Sequence, residues 1–253
     1  MSRRFEGKTV LVTGSAGGLG RGFALGFARE GAHLILADVN MAGLEETRSE
    51  LHACGATCSI HRLDLAMEPE IHEFGIEIGQ LHPRLDVLVN NAGLAYGEIA
   101  RGFEALSQDK WLHYFAINTV APLLLAEALR GALAGGPGVI INQSSMASYL
   151  PGTAYGVTKA ALNAMTYGMA RSFAAQGIRV NAIAPGLMET PANRAGLSPE
   201  HYTDIQDMQM LKLPGRAADI VALGLFLASE EARFITNDIV HCDAGHPFRG
   251  YRA

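Results

Sequence analysis

Between Asn142 and Lys159 the chain reads NQSSMASYLPGTAYGVTK. Ser145, Tyr155 and Lys159 in this stretch are residue types that can move a proton on and off an alcohol or carbonyl oxygen. Tyr155 and Lys159 are four apart in a helical pattern, so both lie on one helix face. A free phenol, with a pKa of roughly 10, is a poor base near neutrality. A nearby ammonium favours the phenolate and is expected to lower that value. Tyr155 would then take a proton from an alcohol, or return one to an alkoxide. Ser145 would donate a hydrogen bond to the same oxygen. A Tyr-x-x-x-Lys pair alone is an ordinary solvated helix face. This one follows an apolar strand that ends in serine, downstream of a glycine-rich loop. Tyr149 and Tyr167 have no lysine four residues on. Ser144 points to the opposite sheet face from Ser145 if the strand persists. Ser148 lies in the connection and is the weaker candidate.

Thr13 to Gly20 reads TGSAGGLG, with the spacing G-x-x-x-G-x-G over Gly14, Gly18 and Gly20. Glycines there let backbone approach a pyrophosphate, and a helix N-terminus supplies N–H groups and positive dipole. Gly14, Gly18, Leu19 and Gly20 are the loop's cofactor-binding candidates. A tight turn is the plain alternative, and Asp38 at the end of the second apolar run weakens it. A carboxylate at that place accepts hydrogen bonds from the adenosine ribose and repels a 2′-phosphate. No Lys or Arg lies in Ser15 to Gly17, nor at Val39 or Asn40. The expected cofactor is therefore NAD rather than NADP.

The elements that must position these residues follow from periodicity. KTVLVTG, AHLILAD, TCSIHRLDL, LDVLVNNAG, GVIINQSS, IRVNAIAPG and DIVHCDAG read as strands. Helical patterns cover 18–31, 45–51, 68–81, 109–133, 152–177 and 217–229. Strand and helix alternate, and several strands are apolar without alternation, as when both faces are covered. The expected fold is α/β, one doubly wound domain over 1–253 with a parallel sheet and right-handed crossovers. The one long stretch without clear periodicity, 186–215, is expected to be a flap over the substrate.

Composition closes off other classes. Hydrophobic residues make up 49% and charged residues 18%, so a well-buried core is expected. A net charge of -5 with scattered Lys and Arg argues against a nucleic-acid or anionic-membrane partner. No apolar run reaches the roughly 18 residues of a membrane span. Three cysteines, Cys54, Cys58 and Cys242, fit a reducing, cytoplasmic compartment. No second Cys/His pair stands at ligand spacing, so no metal site is expected.

Together these residues resemble the short-chain dehydrogenase/reductase family over nearly the whole chain. The likeness rests on TGSAGGLG, LDL with Asp64, NNAG at Asn90 to Gly93, Asn118 in FAIN, Ser145, YGVTK from Tyr155 to Lys159, and PGLMET from Pro185 to Thr190. The resemblance implies a seven-stranded Rossmann-type sheet, a homotetramer or homodimer, and a Ser-Tyr-Lys-Asn site. It implies that Asp64 and Leu65 sit beside adenine, and that Asn91 and Gly93 border the cofactor. It implies that Pro185, Gly186 and Thr190 hold the nicotinamide end. It gives Tyr155 and Lys159 cofactor contacts, Lys159 through the nicotinamide ribose, and makes Asn118 the anchor of a proton-relaying water. Family members commonly have a few more residues between the serine and the tyrosine. At about 3.3 Å per residue, the nine here still span the gap easily, and the shortening falls on the pocket rim.

The expected activity is NAD-dependent interconversion of a small, mostly apolar secondary alcohol and its ketone. Ala95, Tyr96, Met146, Tyr149, Leu187 and Met188 are the expected pocket walls. Arg101 and Arg194 are read as surface residues. A 3-oxoacyl thioester reductase is the enzymatic alternative, which Asp38 opposes through its usual NADPH. A non-catalytic dinucleotide sensor is the alternative of another class, and such proteins tend to lose the Tyr/Lys pair.

Overall fold

The computed structural model describes residues 3–104, 106–149, 151–189 and 197–247, with His201 described by its backbone alone. Seven strands form one parallel sheet: β1 (Thr9–Thr13), β2 (His33–Asp38), β3 (Cys58–Arg62), β4 (Val87–Asn90), β5 (Val139–Gln143), β6 (Arg179–Pro185) and β7 (Ile239–Cys242). Their order is β3-β2-β1-β4-β5-β6-β7. The order reverses between β1 and β4, which opens a crevice at their carboxyl ends.

The helices are α1 (Gly18–Arg29), α2 (Met41–Ala53), α3 (Glu68–Leu81), α4 (Gln108–Phe115), α5 (Ala121–Ala128), α6 (Arg130–Leu133), α7 (Ala154–Phe173), α8 (Pro199–Met208) and α9 (Ala217–Ala228). Alternate residues along each strand feed two cores. Val10, Val12, Val87, Val89, Val139 and Ile141 pack with α1 and α9. Leu11, Leu88 and Ile140 pack on the other face with α3, α5 and α7.

The structure departs from the periodicity in three places. Residues 109–133 do not form one helix: a π-helical turn, Ala116–Val120, separates α4 from α5. Pro122 has no N–H to offer the carbonyl of Asn118, so the ladder widens there. The helix expected over 45–51 starts earlier, because the Asn40 side chain accepts from Gly43 N at 3.1 Å and caps it. The stretch 186–215 contains α8, and part of it lies outside the described residues.

Candidate active site

Tyr155 lies in the first turn of α7, which Thr153 caps by accepting from Gly156 N at 3.1 Å. Gly156 lets this helix sit tightly on the short connection. A Cβ there would meet Ala147 O at 2.7 Å and Pro151 Cα at 2.9 Å. The connection is a single 3-10 turn, Met146–Tyr149. It brings the Ser145 side chain up to Tyr155, close enough to lower its pKa. Ser145 Oγ also accepts from Ala147 N at 3.2 Å. Ser148 is held elsewhere: its Oγ donates to Ser145 O at 2.7 Å and accepts from Asn163 Nδ2 at 2.9 Å.

Ser144 does not take the opposite face from Ser145. The strand stops at Gln143, and Ser144 Oγ donates to Asn163 Oδ1 at 2.5 Å, on the same helix that carries Tyr155. The alternation that would have separated the two serines ends one residue too soon.

Lys159, two turns' reach from the cap, is 3% exposed. Its Nζ donates to the Gln143 carbonyl at 2.6 Å and lies 5.9 Å from the centre of the Tyr155 ring. Burial dominates both groups in the free chain. It pushes the phenol up to about 12, against a smaller lowering by the neighbouring Ser145 hydroxyl. It brings the ammonium down to about 8. The expected lowering of Tyr155 by its neighbouring lysine is therefore not met here: the ammonium is bonded to a backbone carbonyl, not to the phenol oxygen.

Asn118 sits in the π turn, 1% exposed. Its Oδ1 accepts from Leu94 N at 2.7 Å, and its Nδ2 donates to Leu94 O at 2.9 Å and Thr158 Oγ1 at 3.0 Å. A Cβ on Gly93 would come within 3.1 Å of Asn118 Oδ1 and 3.4 Å of Lys159 Nζ. Gly93 thus keeps open the ground between those two side chains.

A cleft of about 290 Å³ runs along the carboxyl ends of β1, β2 and β4, lined by Gly14, Asp38, Asp64, Leu65, Asn91 and Gly93 among others. The loop over it fits a dinucleotide. A Cβ on Gly20 would fall 2.0 Å from Gly14 O, so only glycine closes this turn. Gly17 caps α1 without a side-chain bond, and no acidic residue stands in the first turn. The first N–H groups of the helix are therefore left for an anion. Leu19 is half-buried just behind Gly18. Asp38 accepts from Ala16 N at 3.1 Å and Asn40 N at 2.9 Å, which fixes its carboxylate at the cleft. Arg62, its register partner on β3, is turned to Glu70 at 3.0 Å, and Arg21 to Glu46 at 2.8 Å and Glu50 at 3.0 Å.

At the other end, Pro185 closes β6, and Gly186 N donates to Cys242 O at 2.9 Å. A Cβ on Gly186 would strike Asp243 Cα at 2.6 Å, so this glycine first serves strand packing. Thr190 and Arg194 lie outside the described residues. Leu187 and Met188 line a separate hollow of about 500 Å³ with Leu211, Leu213 and Pro214. Tyr149 is turned to His241, ring centres 4.6 Å apart.

Two supports escape a reading by residue type. Thr13 Oγ1 accepts from Asn91 N and Ala92 N, both at 3.1 Å, and so shapes the NNAG turn. Thr158 anchors Asn118. A threonine at a strand end or inside a helix carries no signal in sequence until the fold supplies its partner.

The family profile described as enoyl-(acyl carrier protein) reductase matches residues 14–246. The chain belongs to the short-chain dehydrogenase/reductase family. Among relatives of this dehydrogenase/reductase, it is 34% identical to a 2,5-dichloro-2,5-cyclohexadiene-1,4-diol dehydrogenase of Sphingobium indicum, over 97% of this chain and 98% of that one. A short-chain dehydrogenase from Burkholderia cenocepacia solved with NADP superposes with a TM-score of 0.86 and 28% identity, covering 96% and 98% of the two chains. A 7α-hydroxysteroid dehydrogenase solved with NADH and 7-oxo glycochenodeoxycholic acid superposes with a TM-score of 0.89 and 25% identity, covering 97% and 96%. The protein is accordingly an oxidoreductase of this family.

Proposed function

We propose that the protein is an NAD(H)-dependent alcohol dehydrogenase or ketoreductase acting on a mostly apolar secondary alcohol or its ketone. The observation that carries this is the convergence of Ser145 on the half-buried Tyr155, with Lys159 buried beside them. Tyr155 is the acid/base and Ser145 donates to the reacting oxygen. Lys159 holds the nicotinamide ribose. Asn118 holds the relay water through the Leu94 backbone. When bound, the nicotinamide supplies a hydride acceptor and a positive ring. A phenol that burial holds near 12 needs positive charge to lose its proton near neutrality. Tyr155 is placed to feel it only when the dinucleotide cleft is filled.

Gly14, Gly18, Leu19 and Gly20 take the pyrophosphate, Asp38 the adenosine ribose, Asp64 and Leu65 the adenine. Asn91, Gly93, Pro185, Gly186 and Thr190 take the nicotinamide half. Asp38, with Arg21 committed to Glu46 and Glu50, favours NAD over NADP. The stretch 186–215 covers the substrate. The short connection at Met146–Tyr149 suits cyclic alcohols of the kind named for the Sphingobium relative. The three free cysteines support a cytoplasmic setting, and an exposed apolar helix face supports a homodimer or homotetramer.

The test is a steady-state panel of open-chain and cyclic secondary alcohols with NAD and with NADP. NAD should be reduced with kcat/KM at least tenfold above NADP. Tyr155→Phe should cut kcat to below about 1% while NADH binding persists. Equal use of both cofactors would sink the role of Asp38. A phenylalanine variant that still turns over would move the proton elsewhere. A relative named as a 3-oxoacyl-[acyl-carrier-protein] reductase, from Thermotoga maritima and 29% identical over 96% of this chain and 98% of that one, favours a second reading, reduction of a 3-oxoacyl thioester. It requires turnover of a 3-oxoacyl thioester with NADPH above that of any simple ketone with NADH.

A further inference from the structure

Gln143 is the last residue of β5 and is 7% exposed. Its backbone carbonyl holds Lys159 Nζ. Its side-chain Oε1 is buried without a hydrogen-bond partner among the described residues. Native folds seldom leave such an oxygen unpaired, because its desolvation goes uncompensated. The side chain's direction follows from strand alternation. Val139 and Ile141 belong to the core on the α1 and α9 side, and Gln143 continues that row. Its register partner on β6, Ile183, belongs to the same core. One position past β4, on that side, stands Asn91, whose Nδ2 donates to the carbonyls of Thr13 and Gly14. Gln143 therefore ends the strand next to β4, on the same face as Asn91, which lines the dinucleotide crevice. It stands at the reacting end, since its own carbonyl carries Lys159.

We infer that Gln143 is a further cofactor-contacting residue, whose side-chain amide pairs with the carboxamide of the bound nicotinamide. This rests on the dinucleotide reading above. A primary carboxamide offers N–H donors and a carbonyl acceptor, and a glutamine amide complements it in either orientation. Val139, Ile140 and Ile141 precede it, and another apolar residue here would extend the core without leaving a polar atom stranded. An amide at the end of such a strand is consistent with a polar group that meets it. The carboxamide is the one uncharged polar group at the reacting end of the cofactor that has both a donor and an acceptor on a planar frame.

Binding, not turnover, tests this. Kd values for NADH and for ADP-ribose, which lacks the nicotinamide, are measured by titration on wild type, Gln143→Met and Gln143→Leu. The variants should melt no lower than wild type, since they remove an unpaired buried oxygen. Their NADH Kd should rise about tenfold, while ADP-ribose binding stays within twofold. Wild type should also bind NADH several-fold more tightly than the reduced acetylpyridine analogue, which lacks the carboxamide N–H. That comparison needs no variant to fold. Unchanged NADH binding in both variants overturns the contact. So does an equal loss for NADH and ADP-ribose, which would mark general damage. Failure of wild type to bind either NADH or NADPH removes the dinucleotide reading itself, and this inference with it.

Discussion

Lys159 illustrates what a reacting residue costs its own fold. Its ammonium is 3% exposed and has one strong partner, the Gln143 carbonyl. Burial lowers its folded pKa from 10.5 to about 8. Below pH 8 both folded and unfolded chains carry the proton, so the burial penalty is felt in full. Between 8 and 10.5 the folded chain sheds its proton first, and stability rises with pH. Tyr155 acts in the opposite sense: its phenol is held up to about 12 in the fold, so stability falls as pH climbs from 10 to 12. The pair alone places a maximum near pH 10. Lys159→Met should therefore be more stable than wild type at pH 7 in the free chain. The relieved penalty is of order 3 kcal/mol, and the lost hydrogen bond returns about 1 kcal/mol of it. The gap should close by pH 10.5. Urea midpoints at the two pH values read it, and a variant that is less stable at pH 7 would show the lysine to be well solvated. Such a gain in stability with loss of activity is the usual exchange at a strained site.

At the scale of elements, the short connection decides which serine reacts. The 3-10 turn folds Ser148 back onto Ser145 O and Asn163, so its hydroxyl is structural. Ser145→Ala should lower kcat by about 10²-fold. Ser148→Ala should leave kcat within a few-fold and cost about 1 kcal/mol of stability. A reversal of the two kcat effects would reassign the catalytic hydroxyl. A second element-level strain lies after β7, where Ala244 has a φ of 54°. A Cβ in that region costs about 1 kcal/mol relative to glycine. Ala244→Gly should raise the unfolding free energy by that amount, and no gain would mean a neighbour compensates the strain. The seven strands and the residues around Tyr155 were readable because buried parallel strands and a Tyr-x-x-x-Lys helix face leave local patterns. The π turn was not, since 109–133 keeps helical spacing and only Pro122 hints at a fault. Nor was α8, whose sequence PEHYTDIQDM shows only a thin apolar row of Tyr202, Ile205 and Met208 within a stretch otherwise without periodicity. The face of Ser144 stayed open because one residue of strand length decides it, and strand ends are set by tertiary pairing.

At the scale of the whole molecule, α9 reads as apolar on every side, AADIVALGLFLA, with Asp219 alone as the exception. A helix of that kind is covered on all faces or paired with another chain. Its inner face is packed hard: a Cβ on Gly26 of α1 would come 2.5 Å from Val221, and one on Gly224 would come 2.4 Å from the Phe23 ring. Its outer face carries Ala218, Ala222 and Phe226, all exposed. A few residues on, Phe234 is 94% exposed. Leaving this surface in water forgoes roughly 25 cal/mol for each Å² of apolar area, and such patches mark interaction sites. A second copy meeting it across a two-fold axis would bury the same small residues from both sides and let the helices approach closely. Light scattering of the purified protein should thus give a multiple of the 26.9 kDa chain mass. Ala222→Glu places a charge at the middle of that face, where no intrachain group is displaced. It should lower the assembly by at least one dimerisation step while leaving the helical circular dichroism unchanged. A wild-type mass of one chain at micromolar concentration would refute the paired helix, and an unaltered assembly in the glutamate variant would place the interface on another face.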